Sequence, residues 1–160
     1  MFQFAYIYPF LHDKVGFEVI VGLIGLSVIL LIGIGSIHVY WAFGGTWGST
    51  IVLPSSQSQK PAFVPGKIAT IVVAFLVFSA ALLLFLQGGL FVAIQPNFIV
   101  EWGCWVCVIA FGLRVVGDFK YFGLFKKIRN SRFSHYDTYL FTPLCVWFSL
   151  IFYAAITIGS

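Results

Sequence analysis

The chain has 160 residues, 61% of them hydrophobic and 9% charged, with a formal net charge of +4 and a mean hydropathy of +1.02. A soluble domain of this length carries about 25% charged residues, so the composition excludes a water-soluble fold and points to an integral membrane protein. The few basic residues have no nucleic-acid-binding pattern around them, which argues against a nucleic-acid partner.

The N-terminal "MFQFAYIYPFLHDKVG" has no basic residue ahead of its apolar patch and no small-residue cleavage site. It is therefore not expected to be a cleaved signal. The first long apolar run follows, at about 17–37, with others at about 67–87, 98–118 and 138–158. A hydrocarbon core of about 30 Å takes roughly 20 helical residues, so each run is long enough to cross. The runs are continuous and not alternating, which excludes a membrane β-barrel. The expected fold is all-α, a single four-helix transmembrane bundle over 1–160.

The first run carries Gly22, Gly25, Gly33 and Ser36 at helical spacing, with Ile29 and Tyr40 on the same stripe. Small residues let helices approach closely in lipid. The stripe predicts a helix–helix seam, within the bundle or towards a second protomer or partner membrane protein. The run ends in "SIHVYWAFGGTWG" (36–48), where Gly44, Gly45 and Gly48 allow a tight turn. The following "PSSQSQKPAFVPG" (54–66) reads as a proline-punctuated loop over the same pole.

The third run places Gly103, Cys107, Ala110, Arg114 and Gly117 at alternating steps of four and three. Arg114 is thus expected to face protein, because a charge in a span costs roughly 3 kcal/mol and points at a partner or cavity. Asp118 is available to it at i,i+4. "CWVC" (104–107) has C-x-x-C spacing, but no second thiol pair or flanking cation accompanies it. The cysteines read as small buried hydrophobes.

The fourth run opens with "FSHYDTYLFTPLC" (133–145), where Ser134 and Asp137 have the spacing of a helix-capping pair. Pro143 leaves the Tyr139 carbonyl without its helical donor and should kink the helix or delay its start.

Lys60, Lys67, Lys120, Lys126, Lys127, Arg129 and Arg132 all fall in the first and third connections, against Lys14 near the N-terminus. Basic short loops stay cytoplasmic, so both termini are expected on the outer side of the membrane. Membrane lipids, anionic ones above all, are the expected neighbours of the basic loop.

At the basic pole, His38, Tyr40, Trp41 and Trp47 from the first span meet Arg114 and Asp118 from the third, and His135 and Asp137 from the fourth. The candidate ligand-binding set is His38, Tyr40, Trp41, Arg114, Asp118 and Asp137. Arg114 would hold an anionic group, Tyr40 and Trp41 would form an apolar wall, and His38 would supply a hydrogen bond. No metal site is expected, since His12, His38 and His135 form no i,i+4 pair on one helix. No cofactor or catalytic residue can be named. The middle of the membrane lacks the carboxylate that a coupled transporter needs.

Three motifs carry a resemblance: "HVYWAFGG" at 38–45, "LRVVGDF" at 113–119 and "FSHYDTYLFTPLC" at 133–145. They resemble a family of small bacterial four-span membrane proteins described as a domain of unknown function. The resemblance implies a bacterial inner-membrane bundle and no activity. A protein that binds a lipid, small molecule or partner helix through the polar pole is the first expectation. An enzyme acting there on a lipid-like or quinone-like substrate, with His38 or Asp118 as acid–base group, is the second. A structural subunit of a larger assembly is the third.

Overall fold

The structure, a computed structural model, describes residues 4–52, 65–90, 97–117, 123–127 and 132–159. These residues form helices and connecting turns: α1 (Phe4–Ala42), α2 (Ser49–Val52), α3 (Lys67–Gln87), α4 (Phe98–Val116), α5 (Arg132–Tyr136), a π-helical turn (Asp137–Phe141) and α6 (Thr142–Gly159). Four stretches are long and apolar enough to cross a membrane: Gly16–Ala42, Lys67–Gln87, Phe98–Val116 and Arg132–Ile158. Most of their side chains face outward. Phe75, Ile99, Leu113 and Leu150 are among the exposed apolar residues, an outer surface suited to lipid and not to water. The chain is all-α and multi-pass.

Cross-helix contacts fix the packing sense. Between α1 and α3, Phe43 lies beside Lys67, Gly35 against Phe78, and Ile24 against Gly88. Rising numbers on one helix meet falling numbers on the other, so the pair is antiparallel. The same holds for α4 and α6, where Trp105 meets Tyr153 and Phe111 meets Phe148. The C-termini of α1 and α4 and the starts of α3 and α5 therefore share one end, called the basic pole below.

The core between the pairs holds Ile24, Val28 and Leu31 of α1, Ala80, Ala81 and Leu84 of α3, Cys104 of α4, and Phe148, Phe152 and Ala155 of α6. Within lipid, burial of apolar groups gives little drive to association. Close packing and interhelical hydrogen bonds must hold such a bundle. Trp147 Nε1 donates to Ser27 Oγ at 2.9 Å, joining α6 to α1, and Ser149 Oγ donates to the Val108 carbonyl at 3.1 Å, joining α6 to α4. Cys104 lies with its Sγ 3.7 Å from the Leu83 carbonyl, and all three cysteines are free thiols.

The glycine expectation needs correction for the seam inside the bundle. Gly22, Gly33 and Ser36 are exposed, as is Ile29, and a Cβ at Gly22 or Gly33 would meet nothing within 4 Å; Gly25 touches only Leu90. The seam is centred instead on Gly35, where a Cβ would stand 2.9 Å from the Phe78 ring. The sequence stripe ran about one residue off the buried face. On α4 the small-residue face is partly inward: Gly103 packs against Leu83 and Cys107 packs against the core, while Ala110 is exposed.

Helix ends follow local chemistry. Asn97 caps α4, its side chain accepting from Ile99 N and Val100 N at 3.1 Å each. Gly117 closes α4 with φ +85° and its N–H bonded to the Leu113 carbonyl, a conformation that favours glycine. In the fourth span α6 begins late, as expected, at Thr142 immediately before Pro143, although the chain ahead of it stays helical. The turn widens to π geometry over Asp137–Phe141, with Thr142 N–H reaching back five residues to the Asp137 carbonyl. A π-turn absorbs the missing proline donor without ending the helix. The loop expected at 54–66 lies outside the described residues, apart from Pro65 and Gly66.

Candidate functional site at the basic pole

The site has two parts, a folded-back turn after α1 and an ion-paired clamp beside it, with a cavity between helices. The turn begins where α1 runs out at Ala42. Gly44 (φ +92°) and Gly48 (φ +74°) take left-handed backbone, and Gly45 N–H donates to the Tyr40 carbonyl at 3.0 Å. The Tyr40 ring lies directly on Gly45, where a Cβ would collide with it. Trp41 Nε1 donates across the turn to the Trp47 carbonyl at 2.8 Å. These contacts return the chain so that the short α2 packs against α5. The glycines, Tyr40 and Trp41 of "HVYWAFGGTWG" are thus turn-building residues.

The clamp centres on Asp137, which is 0% exposed. Its Oδ1 accepts from Arg114 Nη2 at 2.7 Å, and its Oδ2 accepts from Lys126 Nζ at 2.8 Å and Gly123 N–H at 2.9 Å. Lys126, 5% exposed, also donates to Thr138 Oγ1 at 2.7 Å, and that hydroxyl donates to the Ser134 carbonyl at 3.0 Å. A buried carboxylate is tolerated only when paired and hydrogen-bonded, and both of its oxygens are engaged here. The capping role expected from the Ser134–Asp137 spacing gives way to this pairing, because two cations and a backbone donor stabilise a buried carboxylate better than a helix N-terminus. Gly123 (φ +81°) sits so close to α4 that a Cβ would stand 2.6 Å from the Val115 and Val116 carbonyls. Leu124 N–H bonds the Val115 carbonyl at 2.9 Å. The clamp therefore ties the segment 123–127 to both α4 and the fourth span.

Between turn and clamp lies a cavity of about 510 Å³, with Leu31, Ile34, Val77, Phe111, Phe141 and Leu144 among its walls. His38, Trp41 and Trp47 close one side, and Arg114, Tyr136 and Cys145 contribute on the other. His38 Nδ1 lies 2.8 Å from the Ile34 carbonyl. A carbonyl only accepts, so Nδ1 is the donor of this hydrogen bond. His38 also meets Trp41 edge-on, with ring centroids 5.1 Å apart.

The sequence-derived set is therefore divided. His38, Trp41 and Arg114 line one cavity; Asp137 binds Arg114 from behind. Tyr40, 48% exposed, is not part of the wall and supports the turn. Asp118 lies outside the described residues. His135 pairs with Tyr139, ring centroids 4.7 Å apart, and does not line the cavity. Lys126 and Gly123 escaped the sequence reading, since a lysine in a basic loop looks topogenic. The available signal was Asp137 itself, a carboxylate at a membrane rim that needs counter-charges. Among the described residues no three His, Cys, Asp or Glu side chains gather where a metal could be held.

With this geometry in place, comparison with known proteins gives a family. Residues 31–152 match a family described as protein of unknown function (DUF3995). The chain belongs to that family. The matched region takes in the turn after α1, Arg114 and the Asp137 clamp. No curated protein and no solved structure matches the chain.

Proposed function

We propose that the protein binds a lipid-soluble small molecule in the cavity at its basic pole, and that this pole faces the cytoplasm of a bacterial inner membrane. The observation that carries the reading is the cavity itself. Its volume of about 510 Å³ falls within the roughly 300–1,000 Å³ typical of small-molecule sites, which are mostly apolar with a few placed polar groups. Its rim residues Trp47, Tyr136 and Leu140 are exposed and mainly apolar, which favours access from the bilayer. The orientation rests on the lysines and arginines of the first and third connections. The exposed face with Gly22, Gly33 and Ser36 is where we place contact with a second membrane helix, in a homo-oligomer or a partner protein.

A ligand that binds only the folded protein raises its stability, by about 2.7 kcal/mol at a hundredfold excess over Kd. Delipidated protein titrated with fractions of a bacterial membrane extract should therefore show a raised Tm with one fraction. Cys145→Phe, which fills the cavity wall, should lose that increase while keeping a cooperative transition. Equal shifts in both proteins, or none in either, would refute the binding reading.

A further inference from the structure

The cavity has both a charge and a direction. Resting on the binding reading above, we infer that its occupant is an anionic amphiphile, with a carboxylate or phosphate head at Arg114 and an apolar body reaching towards the membrane centre.

Two observations carry this. The first is charge. Among the described residues, the cluster at the pole sets two cations against one carboxylate, since Asp137 accepts from Arg114 at 2.7 Å and from Lys126 at 2.8 Å. The three side chains together therefore carry one positive charge, in surroundings that solvate a net charge poorly. Asp137 is fully buried, and Lys126 nearly so, with its Nζ engaged by Asp137 and Thr138. Of the three, Arg114 alone belongs to the cavity wall, its side chain 31% exposed. The excess charge thus meets the cavity at that residue. A guanidinium presents five N–H donors in a planar fork and can serve a second oxyanion beside the first. Asp137 opposes such an anion, and the two cations outweigh it. A neutral head group would leave the positive charge uncompensated.

The second observation is the order of residues along the wall. His38 and Trp41 stand near the end of α1, Arg114 in the last turn of α4 and Tyr136 at the end of α5, all at the basic pole. The apolar residues lie deeper. Leu31 precedes His38 by seven residues on α1, about 10 Å of helical rise. Val77 comes ten residues after Lys67, where α3 starts at this pole, or about 15 Å along the helix. The wall therefore runs from a cationic rim into hydrocarbon, in the sense in which a lipid acid lies in a bilayer.

Three probes with the same saturated chain separate the cases: hexadecanoate, hexadecyl phosphate and hexadecanol. Each would be tritiated and its binding to the full chain read by scintillation proximity, in uncharged detergent at about pH 8, where the carboxyl group is ionised. At least one acid should bind about tenfold more tightly than hexadecanol, the worth of one charge-assisted hydrogen bond, and the better acid names the head group. Arg114→Gln should abolish that preference. Hexadecanol binding as tightly as both acids overturns the inference from the wild type alone, even if Arg114→Gln fails to fold. A preference that survives Arg114→Gln overturns the place assigned to the head. An acid held equally by Cys145→Phe sits on the basic surface and not in the cavity, which also overturns it. If no probe binds while a membrane fraction still stabilises wild type over Cys145→Phe, the inference falls and the cavity reading stands. If no fraction stabilises it either, both fall.

Discussion

Asp137 is the residue on which the basic pole depends. It is fully buried, yet it receives three donors from two separate parts of the chain: Arg114 of α4, and the Gly123 backbone with the Lys126 side chain in the segment 123–127. Removing one partner of a buried ion pair leaves an uncompensated charge and costs about 3–5 kcal/mol. Asp137→Asn should therefore lower Tm sharply in mild detergent and open the segment 123–127 to proteolysis. Lys126→Met leaves Arg114 and Gly123 in place and should cost less, about 1–3 kcal/mol. A larger loss for Lys126→Met than for Asp137→Asn would contradict this hierarchy. From the sequence, Arg114 and Asp137 could each be placed at the pole, but their pairing could not. Asp118 at i,i+4 was the nearer candidate on paper, and the widened turn that holds Asp137 in register with Arg114 depends on tertiary packing.

At the scale of the element, hydropathy made the four spans legible to within a few residues, because length and apolar content alone decide what crosses a bilayer. The face each helix buries was harder to read. In a membrane both faces of α1 are apolar, so the amphipathic signal that marks the inner side of a soluble helix is missing. The glycines at 22, 25 and 33 consequently suggested a seam that the bundle builds at Gly35. This yields a paired prediction. Gly33→Ala should leave thermal stability unchanged or raise it by about 0.5–1 kcal/mol through helix propensity. Gly35→Ala should lower it, because the Phe78 ring at 2.9 Å must move. Equal effects would place the α1–α3 contact elsewhere. The outward glycine face has a separate test. If it meets a second helix, Gly33→Leu should reduce the oligomer extracted in mild detergent to a monomer, and an unchanged mass would remove that face from consideration. The turn after α1 is a different case. Its glycines and aromatics were visible in the sequence as a cluster, but whether they recognised a ligand or shaped the backbone became clear only from Tyr40 lying on Gly45 and Trp41 bonding Trp47. Trp41→Phe should keep the wall apolar yet loosen the turn, costing about 1 kcal/mol for the lost hydrogen bond, readable as a fall in Tm.

Over the whole molecule, the two antiparallel helix pairs leave a cavity at one end, between the turn after α1 and the Asp137 clamp. Elsewhere, between Ile24, Leu84, Cys104 and Phe152, the bundle is packed. The account rests on that end being a binding site, and the most direct test is the mass of the protein as it leaves the membrane. Native mass spectrometry of the full chain, released in mild detergent, should show a discrete non-detergent mass on wild type. That mass should be absent from Cys145→Phe and weakened in Arg114→Gln. A wild-type protein with no retained mass, or the same mass on all three, would contradict the claim that the cavity holds a ligand.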